Sequence, residues 1–258
     1  MKYLELAKKQ KANVNPVKLL LFAHTKVGKT TAVSKLPNAL IIDLENGTNY
    51  ITGNILNVKQ LSLQSGKKEY AILYEIAKEI EETNQIQKRK VFKFIVFDTI
   101  TALQDIAENL ALEMYKMSPI GKNYRGSNIL ELPQGGGYYW LRKAFTSLYG
   151  AFENLSDYLI FLGHIKLSSI TKDGEELTAR DIELSGKMKQ IICADCDAIG
   201  YLFRDKKAPN KVIVSFKTNY LDLVTGARPQ HLKDQEFVLT ELENNNLKTY
   251  WEKIYIQN

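Results

Sequence analysis

Residues 19–31 constrain the fold of this chain more than any other segment. Residues 19–22 are a short apolar run, residues 23–28 are mostly small or polar and end in glycine, and residues 29–31 open a segment of helical character. This order predicts a buried strand, a tight loop and a helix, which together form the first unit of a parallel sheet. We therefore expect an α/β protein whose central sheet is mostly parallel and carries helices on both faces.

The loop in this segment ends in Gly28-Lys29-Thr30, the pattern of a phosphate-binding (Walker A) loop. In such loops the backbone N–H groups and the helix start surround the phosphates, the lysine reaches the β- and γ-phosphates, and the hydroxyl ligates Mg²⁺. Ala23 stands where the pattern has its first glycine, and alanine suffices if φ is negative there. The alternative, a chance match, is disfavoured by the flanking strand and helix. The predicted nucleotide-binding residues are Ala23, His24, Thr25, Lys26, Val27, Gly28, Lys29, Thr30 and Thr31.

Further elements follow from other apolar runs. We predict core strands at 39–42, 94–97 and 159–162, later strands at 198–203 and 212–216, and helices at 69–82, 99–115 and 139–153. A turn signal at Asp173-Gly174 predicts a hairpin or a loop within 166–178. We expect one domain over residues 1–258, with an N-terminal extension at 1–16 and a closing segment at 232–258.

Asp98 comes directly after the strand predicted at 94–97. Open α/β sheets bind ligands at the carboxyl ends of their strands, so Asp98 is a candidate Mg²⁺ ligand in the Walker B role. An aspartate here can also simply cap the helix predicted at 99–115. Beside the phosphate-binding loop, the metal interpretation is favoured.

The candidate catalytic carboxylate lies elsewhere. Asp98 is followed by Thr99, so the Asp-Glu pair of many AAA-type ATPases is missing, and Glu45 instead lies just beyond the strand at 39–42. This resembles the RecA family, whose water-activating glutamate follows the strand after the loop's helix. The resemblance implies that Glu45 is the general base and that His164, at the end of another strand, contacts the γ-phosphate. The alternatives are a solvated loop acid and a structural histidine.

In their order and spacing these matches are similar to the compact RecA-like P-loop ATPases of bacteriophages, which are implicated in single-strand annealing and recombination. The resemblance implies a Mg²⁺-dependent, DNA-stimulated ATPase that acts on single-stranded DNA. It also implies a homo-oligomer, filament or ring, with ATP at subunit interfaces, and phage recombination or replication proteins as further partners. The catalytic set is then Lys29, Glu45, Asp98 and His164.

The same resemblance implies that the segment after His164 binds DNA. Its lysines would contact phosphates, and a second loop at 116–139 combines basic residues with aromatic ones suited to stacking, including Tyr138 and Tyr139. The DNA-binding candidates are Lys122, Tyr124, Arg125, Lys166, Lys172, Lys187 and Lys189. For cations acting on a neighbour's nucleotide, as arginine fingers do, the candidates are Lys217 and Arg228. Each of these has an ordinary exposed charge as its alternative.

The composition sets broad limits on location and partners. A net charge of +6 and a pI near 9.0 favour polyanionic partners. Apolar runs are too short for a membrane span, residues 1–11 lack a signal-peptide stretch, and Cys193 and Cys196 are the only cysteines. We therefore expect a cytoplasmic protein, with both cysteines on a helix before the strand at 198–203.

Two other functions fit the same motifs. One is a P-loop ATPase motor or loader for replication or packaging, which would form rings and be stimulated by a protein partner. The other is a nucleotide-binding scaffold with little turnover, suggested by Ala23 and by the missing Asp-Glu pair.

Overall fold

The structure is a computed structural model that describes residues 12–172, 175–218 and 224–257. The helices are α1 Lys29–Val33, α2 Val58–Ser65, α3 Glu69–Gln87, α4 Ile100–Met117, α5 Gly137–Gly150 and α6 Met188–Asp195. The strands are β1 Lys18–Ala23, β2 Ala39–Asp43, β3 Asn54–Asn57, β4 Phe92–Asp98, β5 Ser156–Lys172, β6 Glu175–Ile182, β7 Ala198–Arg204, β8 Lys211–Ser215, β9 Gly226–Ala227, β10 Glu236–Glu243 and β11 Asn246–Thr249.

The strands form one mixed sheet in the order β11-β10-β8-β7-β1-β5-β4-β2-β3. The six strands from β7 to β3 pair in parallel, whereas β8, β10 and β11 add to the sheet in antiparallel fashion. The predicted α/β class with a mostly parallel sheet is therefore confirmed. Because parallel strands run in the same direction, the residues after β1, β2, β4 and β7 lie at one edge, together with His164, which pairs with Ala23 within β5.

The core lies on both faces of the sheet because side chains alternate along each strand. On β1, Leu20 and Phe22 face a layer built from α3, α4 and α5. Leu19 and Leu21 face the opposite layer, which contains α1 and the C-terminal residues. There the indole of Trp251 donates a hydrogen bond to the carbonyl of Ala32 at 2.9 Å, which ties the end of the chain to α1.

The hairpin predicted after His164 is present as the outer part of β5 paired with β6. The pairs run from Ile165 with Ile182 to Lys172 with Glu175, and Asp173 and Gly174 lie outside the described residues. β5 is therefore one strand that pairs within the central sheet up to His164 and with β6 beyond it. Among the described residues, no helix is long and apolar enough to cross a membrane.

The structure adds elements that the sequence did not indicate: the strands β9, β10 and β11 and, at the margin of the sheet, β3 and α2. β3 is the edge strand Asn-Ile-Leu-Asn, which pairs only with β2 within the described chain, and of α2 only Val58 is buried. Neither has a strong apolar period, because each covers the sheet margin rather than its centre.

Candidate active site

The loop between β1 and α1 has the backbone that a phosphate-binding loop needs. Gly28 has φ 116°, a left-handed conformation that favours glycine, although only Val212 lies near the place of a Cβ atom, at 3.8 Å. Lys26 also has a positive φ, 62°. Ala23 is the last residue of β1, paired with His164 in extended backbone, so alanine is not strained in the first-glycine position.

Lys29 is the buried cation at the centre of this site. Its Nζ atom donates to the carbonyl oxygens of Ala23 at 3.3 Å and His24 at 3.2 Å, and lies 3.5 Å from Nδ1 of His164. Burial lowers the pKa of the ammonium group, while the charges of Asp98 and Glu45 oppose that shift. The ammonium group is thus held over the loop by weak, neutral partners that an anion can replace.

Thr30 and Asp98 are in direct contact, with the Thr30 hydroxyl donating to Oδ2 of Asp98 at 2.6 Å. Burial raises the pKa of Asp98 to about 6, and repulsion from Glu45 and Asp43 adds to the shift, whereas Thr30 and Lys29 lower it. A divalent cation is strongly attracted to a buried carboxylate whose charge is not balanced by a full counter-charge.

Mg²⁺ suits this donor set, because it prefers oxygen ligands and usually binds through one or two carboxylates together with water and phosphates. Thr30 supplies a hydroxyl oxygen and Asp98 a carboxylate oxygen, and these two oxygens lie 2.6 Å apart. Within the described residues no cluster of three or more His, Cys, Asp and Glu side chains could hold a metal alone. The geometry therefore fits a metal that arrives with a phosphate substrate.

Glu45 is fixed by two donors at the same edge. Nε2 of His164 lies 2.8 Å and 3.1 Å from its two oxygens, and the hydroxyl of Thr99 donates to Oε1. Burial opposes ionisation of Glu45, but the hydrogen bonds from His164 and Thr99 prevail and hold its pKa below the usual value. With 35% of the side chain still exposed, this ionised carboxylate can accept a hydrogen bond from water.

His164 connects the two charged residues. Its Nδ1 atom faces Lys29, its Nε2 atom faces Glu45, and its backbone N–H donates to the hydroxyl of Thr101 at 3.3 Å. The structure thus places Lys29, Glu45, Asp98 and His164 together, as the sequence indicated. Thr99, which was not predicted, completes the set and also caps α4 by accepting from the N–H of Ala102. Its helix-capping position directly after Asp98 was the signal for it.

Asp43 shapes the turn that carries Glu45. It is buried and accepts hydrogen bonds from the backbone N–H groups of Glu45, Gly47 and Thr48, from the Thr48 hydroxyl and from the Asn57 amide. All its acceptor capacity is used within the chain. Asp43 is therefore a structural residue that sets the direction of the neighbouring catalytic candidate.

Two of the DNA-binding candidates have partners within the chain. Tyr124 is half-buried, packs edge-on against Tyr115 at 5.4 Å and donates its hydroxyl to the carbonyl of Asn128. Lys189 forms an ion pair with Asp181 at 2.6 Å, which uses its charge within the chain.

All seven DNA-binding candidates remain predictions. Lys122, Arg125, Lys166 and Lys187 are exposed, and the side chain of Lys172 lies outside the described residues.

The two candidates for a cation in trans are both engaged within the chain. Arg228 donates to Asp197 at 3.1 Å and to the carbonyl of Ala194 at 2.6 Å, where β7 begins, and 62% of its side chain is exposed. Lys217 lies 3.5 Å from Glu236 and is half exposed. Ion pairs this exposed are weak, and both residues remain predictions.

Comparison with known proteins identifies the family. No curated protein matches the chain. A solved structure with some similarity is a prototypical ATPase from the type III secretion system of pathogenic bacteria, with 11% identity, 74% of this chain covered and a TM-score of 0.38. This chain covers 53% of that ATPase, about half its length. Residues 15–232 match a family model described as an AAA domain, so the chain belongs to this family of P-loop ATPase domains.

Proposed function

We propose that the protein binds ATP with Mg²⁺ at the loop of residues 23–31, hydrolyses it, and uses the nucleotide state to act on single-stranded DNA. The observation that supports this most is the contact between Thr30 and Asp98 beside the buried ammonium group of Lys29. Two oxygen ligands and one desolvated cation converge there, which matches the charge pattern of a metal-bound triphosphate.

The residues of the chain divide the work of hydrolysis. Mg²⁺, when bound with the nucleotide, neutralises charge on the phosphate oxygens. Lys29 exchanges its loop carbonyls for phosphate oxygens, and the loop N–H groups surround the same phosphates. Glu45, ionised and partly exposed, orients the attacking water and accepts its proton. Thr99 and His164 are positioning residues, because each donates to Glu45.

His164 offers a way for nucleotide state to reach the hairpin. It contacts Lys29 on one side and Glu45 on the other, and β5 continues from it directly into the hairpin with β6. A movement of Lys29 or Glu45 towards a nucleotide therefore changes the partners of the residue at the hairpin's base.

An exposed aromatic patch supports DNA as the partner. We define it as Tyr138, Tyr139, Lys143 and Lys187. Tyr138 and Tyr139 are 41% and 53% exposed, and Lys143 Nζ lies 6.0 Å from the centre of the Tyr139 ring. Tyr138 packs against Gly186, next to Lys187, at the end of the segment that leaves the hairpin. Exposed rings beside cations suit stacking and backbone contacts to unpaired bases.

The DNA proposal is tested by measuring ATP turnover with and without single-stranded DNA over a range of salt concentrations. We expect stimulation that declines as salt rises, because cation–phosphate contacts release counterions. Turnover that responds only to a protein partner would favour the motor or loader, and the DNA proposal would fail. Annealing, recombination and replication are the processes in which such coupling would be useful.

A further inference from the structure

The end of β7 carries an arginine at the same edge of the sheet as the candidate active site. β7 runs parallel to β1 and pairs Tyr201 with Phe22. Arg204 lies three residues further, which is about 10 Å at roughly 3.3 Å per residue. This places it level with the loop after β1 rather than with the strand itself. Like Asp98 on β4 it is the last residue of its strand, but Asp98 lies level with Gly200, so Arg204 extends further beyond the edge.

The hairpin of β7 and β8 touches the loop at two points. Nη2 of Arg204 lies 3.4 Å from the carbonyl oxygen of Lys26. Val212, the partner of Arg204 across the hairpin, lies 3.8 Å from the place of a Cβ atom on Gly28. The two contacts lie on either side of Val27, so the hairpin forms one wall of the phosphate-binding loop.

Arg204 is exposed, and the contacts of its guanidinium group do not neutralise its charge. Its second contact is to the carbonyl oxygen of Pro209 at 3.0 Å, so both partners are neutral. Among the residues that the structure describes, no carboxylate forms an ion pair with it. Lys206 and Lys207 are exposed on the same turn, where the carboxylate of Asp205 accepts the backbone N–H of Lys207. The turn is therefore cationic where it borders the loop.

The position of Arg204 also indicates which part of a nucleotide it faces. The candidate hydrolytic residues stand on β5, β4 and just after β2, all on the other side of β1. β7 and β4 are three strand spacings apart, about 14 Å in all. The phosphate that is cleaved must lie near Glu45 and Asp98, so Arg204 lies towards the opposite end of the phosphate tail.

On the basis of the proposed nucleotide site, we propose that Arg204 binds the phosphate tail of the nucleotide at the phosphates nearer the nucleoside. The planar guanidinium group suits phosphate oxygens because it donates two parallel hydrogen bonds. Its present partners are carbonyl oxygens at the loop, which an anionic oxygen can replace with a gain in charge attraction. The ligand class is a nucleoside di- or triphosphate.

Calorimetric titration of the full chain with ADP and with ATP tests this proposal. We expect Arg204→Ala to raise Kd on the order of tenfold for both nucleotides, since one charged hydrogen-bonded contact is lost. Arg204→Lys keeps the charge, so its Kd values should lie between those of the unchanged protein and those of Arg204→Ala. Arg89→Ala, which removes an exposed arginine from the end of α3, is the matched control and should leave both values unchanged.

Salt dependence separates phosphate binding from simple support of the loop. If Arg204 pairs with phosphate, the Kd of Arg204→Ala should rise less steeply with salt than that of the unchanged protein. A raised Kd with the original salt dependence, a loss confined to ATP, or no loss at all would each overturn the proposal. An unchanged protein that binds neither nucleotide would instead refute the proposed function itself.

Discussion

The Thr30 hydroxyl donates a 2.6 Å hydrogen bond to Asp98, which joins the start of α1 to the end of β4. The two parent strands, β1 and β4, are not neighbours, because β5 lies between them in the sheet. The contact therefore spans β5 near His164, within that strand, and fixes the position of the loop relative to Asp98.

Thr30→Val should remove the metal's contribution to nucleotide binding. Valine keeps the shape of threonine but lacks the hydroxyl, so Asp98 loses the hydrogen bond from Thr30 and the metal loses a ligand. We expect the gain in ATP affinity that Mg²⁺ provides to be at least about tenfold smaller in the variant than in the unchanged protein. The free energy of unfolding of the variant should fall by about 1–3 kcal/mol.

Titrations with Mg²⁺ and with a chelator measure this effect. Thr83→Val is the control, because its hydroxyl bonds only the Glu79 carbonyl in α3. Equal gains from Mg²⁺ in the variant and in the unchanged protein would contradict the assignment of Thr30.

His164 can be tested by contrasting two substitutions. Glutamine can donate an amide hydrogen to Glu45 as the ring does, whereas alanine leaves the carboxylate without this partner. We expect His164→Gln to retain most turnover and His164→Ala to lower kcat on the order of tenfold or more, with a smaller change in KM. Steady-state ATPase kinetics measure both constants. An alanine variant with full kcat would show that His164 does not position the base.

The aromatic patch should carry part of the affinity for single-stranded DNA. We expect Tyr138→Ala with Tyr139→Ala to weaken binding on the order of tenfold or more, since each stacked base contributes about 1–3 kcal/mol. Fluorescence anisotropy with a labelled oligonucleotide measures the affinity. Tyr50→Ala removes another exposed tyrosine, on the connection between β2 and β3, and serves as the control. If the unchanged protein, the double variant and Tyr50→Ala bind the oligonucleotide with equal affinity, the aromatic patch does not bind DNA.

The two cysteines should react slowly in the folded protein. Burial raises the pKa of Cys193 to about 12, with a further contribution from Asp181, and raises that of Cys196 well above its usual value. The thiolate is the reactive form, so at pH 8 alkylation should be on the order of a thousandfold slower than for a free thiol. Mass spectrometry after iodoacetamide treatment, native and unfolded, measures this. Rapid native labelling at pH 8 would mean that burial does not protect these thiols.

The parts of the site that follow strand ends could be predicted from sequence. The four candidate residues Lys29, Glu45, Asp98 and His164 each come after an apolar run, and parallel strands bring such residues to one edge by topology alone. Each apolar run can be recognised from local sequence, while the closeness of the four residues in space follows from the fold class. That combination made the convergence predictable without coordinates.

Other residues depend on tertiary contacts that no local pattern encodes. Tyr124 and Lys189 read as surface residues in sequence, but Tyr115 and Asp181 engage them from other elements. Thr99 contacts Glu45 across 54 positions in the chain. The place of Arg204 beside the loop depends on the pairing of β7 with β1, which its local sequence does not show. Contacts between elements decide such roles.

The most direct test of the central claim is single-turnover hydrolysis by Glu45→Gln, measured together with ATP affinity. Glutamine keeps the size of the side chain but cannot accept a proton from water. We predict that ATP still binds within a few-fold of the original affinity, while hydrolysis falls by about 10²-fold or more. Glu81→Gln, an exposed change on α3, should leave both unchanged. Undiminished hydrolysis by Glu45→Gln would contradict the account.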